Sequence, residues 1–424
     1  MNRTRVKVAS VSSTLLMLGL LVGSSSAFAS TTPVVKRAAA RGELTVAVAA
    51  PFSGNEAFIG PWFLNGVKVA VHQINAAGGL LGRKLRIVTA DTAGDPVDAV
   101  PAISQVIATQ HPFAMIGPSS LEIMAVVRQI NQDKLVDVTL GGTTQLDYMR
   151  YPYIFRTSPS DSQLGVAMAY YGIKKGYKRA ALVFDSGSSA QTLVAPIADT
   201  LKKHGVKVVI NENIVSDQSS YRSEIEKLIL SKPSAIFMQV DPQTASTFFS
   251  ELQQLGGGNI PVIGSNVSAA NTFAQAMTYP LAERVLTSIQ GSTVGGPAGT
   301  LFTNFYEKYF HGQQPLTLSN SAYDAVNIIA MAVLKAKSAS PSTYVKDMVP
   351  VANGPGTNVY DFVQGEKLIK EGKSVNYQGA SGPVDFNRYH NVTGAFEAVK
   401  WVNAKGGPQL KTLTQITPGQ LLGY

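Results

Sequence analysis

The sequence predicts an α/β protein of two lobes, each built on a parallel-type β-sheet. Three observations carry this. Short runs of aliphatic and β-branched residues alternate with segments whose apolar residues recur every three to four positions. That alternation is the mark of strand–helix–strand units whose sheets are buried on both faces. It runs in two successive series, and a single sheet holding all of these strands would be unusually wide. Finally, the 424 residues are 45% apolar and only 15% charged, a balance in which burial offsets the entropy of ordering the chain.

The first series opens with Leu44–Ala50, a Val- and Ala-rich run ended by Pro51 and Gly54. Pro61 suits a first helical turn, and Val67, Ala70, Val71 and Ile74 follow at i, i+3, i+4 and i+7 before Gly78 and Gly79 stop the helix. Leu85–Asp91 reads as the next strand, then a helix over 96–109 and a strand over 113–117. A helix striped by Ile123, Val126, Val127 and Ile130 leads to a strand over 135–140 that closes the series. The second series begins after Asp161. Helices over 163–175, 190–203 and 221–230, and one carrying Phe248, Leu252 and Leu255, alternate with strands over 180–185, 206–210, 235–240, 261–264 and 285–290. Helices over 300–310 and 320–337 and a strand over 395–402 complete the pattern.

The N-terminus reads as a targeting segment. Arg3, Arg5 and Lys7 precede a short apolar stretch over 15–22, and Ala27-Phe28-Ala29 supplies a small-x-small cleavage site. This predicts a signal peptide over 1–29, cleavage between Ala29 and Ser30, a leader over 30–42 and a periplasmic product. The apolar stretch is shorter than the ~20 residues of a membrane span, and no Cys follows it to carry a lipid. Removing 1–29 lowers the formal charge from +9 to +6. The basic residues are scattered without interleaved aromatics, which together with export excludes nucleic acid as a partner.

Catalytic chemistry is absent from the pattern. With no Cys there are no disulfides, thiolate metal sites or thiol nucleophiles, and the five His (72, 111, 204, 311 and 390) include no pair at metal-ligand spacing. No GxGxxG, P-loop or GxSxG motif follows the signal segment, so no cofactor and no metal is expected. What recurs instead is small polar residues after predicted strands: Ser53-Gly54, Ser119-Ser120, Gly141-Gly142-Thr143-Thr144, the 186–189 run and Ser265-Asn266. Alone, each reads as a turn or helix cap. As a set they occupy the strand ends where α/β sheets hold ligands.

The stretch over 65–96, NGVKVAVHQINAAGGLLGRKLRIVTADTAGDP, resembles the first βα units of periplasmic leucine/isoleucine/valine-binding proteins, the type I substrate-binding proteins of ABC importers. IGPSS (116–120), YIFRTSPSDSQLG (153–165), PVIGS (261–265), AYDAVNIIAMAVLKA (322–336) and GASGPVDFN (379–387) extend the resemblance over nearly all of 43–402. It implies two Rossmann-like lobes joined by a three-strand hinge, with crossings near 159–161, 288–291 and 387–393. The N-terminal lobe would then comprise 43–159 plus 291–387, and the C-terminal lobe 160–290 plus 388–424. The implied function is capture of a small amino acid, or a related carboxylate, amide or aromatic acid, between closing lobes. Delivery to an inner-membrane permease with ATPase subunits follows, by a monomeric carrier that is not an enzyme. A ligand-sensing or cell-wall regulatory role on the same fold is the alternative.

The resemblance also implies a site. Thr144 falls on the family's Thr for the ligand carboxylate, with Gly142 and Thr143 beside it, and the family's Ser falls on Leu121, preceded by Ser119 and Ser120. Phe58, Ile59 and Trp62 match the region of an aromatic wall over the side chain. In the second lobe the family's Tyr positions become Ser189 and Val240, and its carboxylate becomes Asn266. A buried ammonium without an anion is costly. Asp241, next to Val240, reads either as a substitute for that anion or, standing before Pro242, as a turn residue. The expectation is a retained carboxylate half and a lost ammonium half, favouring a non-amino carboxylate, aromatic acid or amide over Leu, Ile or Val.

Overall fold

The computed structural model describes residues 42–186, 189–291 and 296–424. The signal peptide expected over 1–29, and all of the leader except Gly42, lie outside the described residues. Strand β1 (Leu44–Ala50) is buried along all seven residues, as an apolar run must be when helices cover both faces of its sheet. Helix α1 (Gly60–Ala76) turns Val67, Ala70, Val71 and Ile74 into the core, the stripe its spacing predicts. Then come β2 (Leu85–Asp91), α2 (Pro96–Gln110), β3 (Ala114–Ile116), α3 (Ser120–Gln132), β4 (Val136–Thr139) and β5 (Ile154–Arg156). The five strands form a parallel sheet in the order β2-β1-β3-β4-β5. The predicted series stopped one strand early, because β5 has three residues and no periodicity to read.

The chain leaves this sheet through 157–160 and enters α4 (Asp161–Lys174), whose cap Ser160 accepts a hydrogen bond from the Ser162 amide. A second run follows: β6 (Arg179–Asp185), α5 (Gln191–Lys203), β7 (Lys207–Ile214), α6 (Arg222–Leu230), β8 (Ala235–Gln239), α7 (Pro242–Gln254), β9 (Val262–Gly264), α8 (Asn271–Met277), α9 (Tyr279–Val285) and β10 (Leu286–Gly291). After α10 (Pro297–Tyr309) comes α11 (Ser319–Ala336), with sixteen of its residues buried, packed on α1, α12 (Pro341–Ala352) and α13 (Phe362–Lys370). A small sheet follows from β11 (Thr357–Val359), α13 (Phe362–Lys370), β12 (Val375–Gly379) and β13 (Gly382–Pro383). The chain then returns to the second sheet as β14 (Phe396–Ala404) and β15 (Gly407–Ile416), completing the order β15-β14-β10-β9-β8-β6-β7.

The last two strands depart from the parallel pattern. β14 pairs antiparallel with β10, and β15 antiparallel with β14. Gly406 and Gly407, both at positive φ, turn the hairpin. Because β15 is exposed on nearly every residue, it carries no in–out alternation for a sequence reading to find.

The connections between the sheets lie side by side. The Arg156 amide donates to the His390 carbonyl at 3.0 Å. A Cβ on Gly394 would come within 2.1 Å of the Pro159 ring, so this crossing packs backbone directly on proline. Arg156 is buried and bridges to Asp147 at 2.6 Å, while its other nitrogen donates to the carbonyls of Gly142 and Thr143 at 3.2 and 3.1 Å.

Candidate ligand-binding cleft

The C-terminal ends of β1, β2, β6, β7, β8 and β9 converge on one cavity of about 220 Å³, the crevice where open α/β sheets place ligands. The first sheet contributes Asn55, Glu56 and Phe58 from the loop after β1, and Ala93, Gly94 and Asp95 from the loop after β2. Asp185, Ser216, Gln239, Val240, Asp241 and Val267 form the opposite wall. Asp91 fixes the first loop by accepting from the amides of Phe52, Ser53 and Ala93 at 2.9, 3.2 and 2.9 Å. Desolvation works against its charge, but those hydrogen bonds prevail and hold its carboxyl below the usual range. Across the cleft, the Asn55 amide donates to the Asp217 carboxylate, joining the two walls.

Three carboxyls dominate the electrostatics. Asp241 is the N-cap of α7: its Oδ1 accepts from the amides of Gln243 and Thr244 at 2.7 and 3.0 Å, while its buried Oδ2 has no hydrogen-bond partner. Asp185 accepts from the Ser216 hydroxyl, and the Asp241 amide lies 3.4 Å from its Oδ2. Burial, reinforced by the Asp241 charge, pushes Asp185 up to about 6. Glu56 is pushed up to about 8, by burial first and then by Glu122, Asp185 and Asp241. Among the described residues no group of three or more His, Asp or Glu is placed to hold a metal ion.

The structure divides the sequence-predicted residues. Phe58, Val240 and Asp241 line the cavity. Trp62 is 4% exposed and stands behind Phe58, ring edge to face at 5.5 Å. Ile59 is likewise buried. Gly142 and Asn266 line a smaller cavity of about 40 Å³ beside the crossings, with Pro159 and Asp161. The Gly142 carbonyl is committed to the Asp161 amide at 2.7 Å. The buried Thr143 caps the short turn begun by Thr144, its hydroxyl accepting from the Gln145 amide. Ser119 and Ser120 are buried at the start of α3 beside the half-buried Leu121. The Ser119 hydroxyl donates to Glu122, which also accepts from Thr92 at 2.8 Å. Ser189 is half-buried ahead of α5, its carbonyl accepting from the Thr192 hydroxyl at 2.7 Å.

Asn266, on which the resemblance puts the family's carboxylate, lies at the smaller cavity, whereas the one between the strand ends is lined by acidic residues. The latter cavity gathers the ends of many strands. It thereby brings Asp185, Asp241 and Glu56 onto one space. Asp185, the last residue of β6, was findable by the strand-end rule; Glu56 carried no pattern.

Two sheets whose strand ends wall one crevice, linked by crossings that run together, define a two-lobed binding protein of the type I fold. The chain belongs to the periplasmic binding protein family, whose model matches residues 43–408. Members are extracytoplasmic solute-binding proteins rather than enzymes, and no described helix is long and apolar enough to cross a membrane. Among relatives, the Leu/Ile/Val-binding protein BraC3 of Rhizobium johnstonii is 24% identical over 327 residues, 75% of this chain and 88% of the relative. A leucine-binding protein from Thermotoga maritima superposes with a TM-score of 0.75 at 18% identity, covering 89% of this chain and 99% of that one. A solute-binding protein of an R. palustris ABC transporter, solved with benzoate, gives 0.72 at 20% identity, covering 88% and 96%. These structural likenesses establish the fold.

Proposed function

We propose that this protein is the soluble capture component of an ABC importer. Exported by its 1–29 segment, it binds a small organic solute between its lobes as a monomer and presents the closed complex to an inner-membrane permease with its ATPases. One observation carries the reading: a single cavity walled by strand ends of both sheets, with Asn55 reaching across to Asp217. A solute there touches both walls only when the lobes are together, so binding favours the closed arrangement. Phe58, Val240 and Val267 supply apolar surface, and the carboxyls supply polar selection. The lobes are proposed as 43–159 plus 291–387 and 160–290 plus 388–424.

The test is a thermal-shift screen of ligand-stripped protein beginning at Ser30, pairing hydrophobic amino acids with their deaminated acids and amides, and adding aromatic acids and amines. A solute at about 100 times its Kd contributes about 2.7 kcal/mol, which raises Tm by about 3 °C for a chain of this length. The shift should vanish in Val240→Trp, whose ring fills the cavity. A compound that shifts both proteins equally binds elsewhere and contradicts the reading.

A further inference from the structure

We propose that the captured solute is a net cation, a small amine or guanidine whose nitrogen sits among Asp185, Asp241 and Glu56. This rests on the capture function above and names its substrate class. Of the charged residues lining the cavity, Glu56, Asp95, Asp185 and Asp241 are acidic and none is basic. A zwitterion would bring its carboxylate into this acidic field with only the neutral Asn55, Ser216 and Gln239 side chains and backbone amides on the walls to meet it, and an aromatic or aliphatic acid would bring the same charge with no ammonium to offset it. Asp241 adds an independent sign. The residue is 7% exposed, one oxygen is committed to the α7 amides, and the other is buried with nothing bonded to it. An orphaned buried carboxylate oxygen is expensive unless a donor arrives. A bound ammonium, with three N–H groups, supplies that donor. The carboxyls are not grouped to ligate a metal ion, so the cation is organic, and Phe58 offers its ring as an apolar and cation–π wall.

The carboxyls of the site also bear on one another. Glu56 faces Glu122 from α3, Asp185 from β6 and Asp241 at the start of α7, and with its pKa near 8 it keeps its proton at neutral pH. A cation favours the ionised carboxyl, so binding expels that proton and affinity rises as pH climbs toward 8.

Isothermal titration of the mature protein tests this, with agmatine, 1,4-diaminobutane, arginine and lysine set against leucine, 4-methylpentanoate, 4-methylpentanamide and benzoate. The expected result is binding of at least one cation at least tenfold tighter than any zwitterion or acid. Asp241→Asn, which retains a capping side chain for α7, should weaken it thirtyfold or more with Tm little changed. Between pH 6 and 8 the affinity should rise up to about tenfold per unit, and Glu56→Gln should flatten that rise. If leucine or an acid binds tightest and Asp241→Asn leaves its affinity unchanged, the cation assignment is overturned while the capture function stands. If every ligand that binds does so equally well to Val240→Trp, the capture site itself is wrong.

Discussion

Asp324→Ala should lower the melting temperature by about 5 °C. Asp324 lies on α11, the most enclosed helix among the described residues, and is fully buried. Its carboxylate accepts from the Tyr377 hydroxyl at 2.7 Å, the amides of Ala380 and Ser381 at 2.9 and 2.7 Å, and the Ser381 hydroxyl at 2.6 Å. Burial raises its pKa to about 6, against the pull of those four donors. One side chain thus satisfies the turn between β12 and β13 and ties the small sheet to the helix. Truncation strands several buried donors at about 1–3 kcal/mol each; relaxation of the half-buried Ser381 brings the total to about 4 kcal/mol. With an unfolding entropy of about 2.1 cal/mol/K per residue, that is about 5 °C. Asp324→Asn should cost less, since the amide keeps an accepting oxygen. Calorimetry resolves both, and a change below about 1 °C for the alanine variant would show that the network contributes little.

Gly117→Ala should be comparably damaging, although only a methyl group is added. Gly117 follows β3 directly with φ +95°, and a Cβ there would stand 2.0 Å from the Ala49 carbonyl oxygen and 3.4 Å from the Phe63 ring. Its amide donates to the Val138 carbonyl at 3.0 Å, which holds the residue in place. Left-handed strain costs about 1–2 kcal/mol and forced overpacking about 1–3, so about 4 kcal/mol and about 5 °C are expected. Ala49 immediately precedes the end of β1, whose following loop carries Glu56 and Phe58, so solute affinity should fall as well. Gly82→Ala is the comparison: its φ is +75° but nothing lies within 4 Å, leaving backbone strain alone. If the two variants melt together, the close approach to Ala49 is not what constrains the site.

The parts of this architecture legible in the sequence are those where burial writes a period. Leu44–Ala50 and Leu85–Asp91 were read with the bounds the structure shows, as strands bracketing a helix whose stripe is buried. The three-residue β5, the exposed β15 and the small sheet around α13 write no such pattern and were missed. Trp62 could have been placed in the core, since it stands four residues before Gly66 and five before Val67 on the buried side of α1. For the cleft, Val240 and Asp241 were reachable through the resemblance, Val240 as the family's Tyr position and Asp241 as its neighbour. Nothing in the chain announces that Glu56 meets Asp185, 129 positions later. That juxtaposition exists only once two sheets face each other.

Closure on a solute should bring the two sides of the cleft mouth nearer, a change that a distance measured across it reports. The chain has no cysteine, so Val97→Cys and Val215→Cys place a pair of spectroscopic labels without further changes. Val97 is 79% exposed in the first turn of α2, and Val215 is 58% exposed beside Ser216 on the facing wall. Capture between closing lobes requires the label-to-label distance to shorten and its distribution to narrow when the tightest solute from the thermal screen is added. It also requires this response to disappear in the Val240→Trp background. An unchanged distance distribution with that solute bound at saturation would contradict capture by closure.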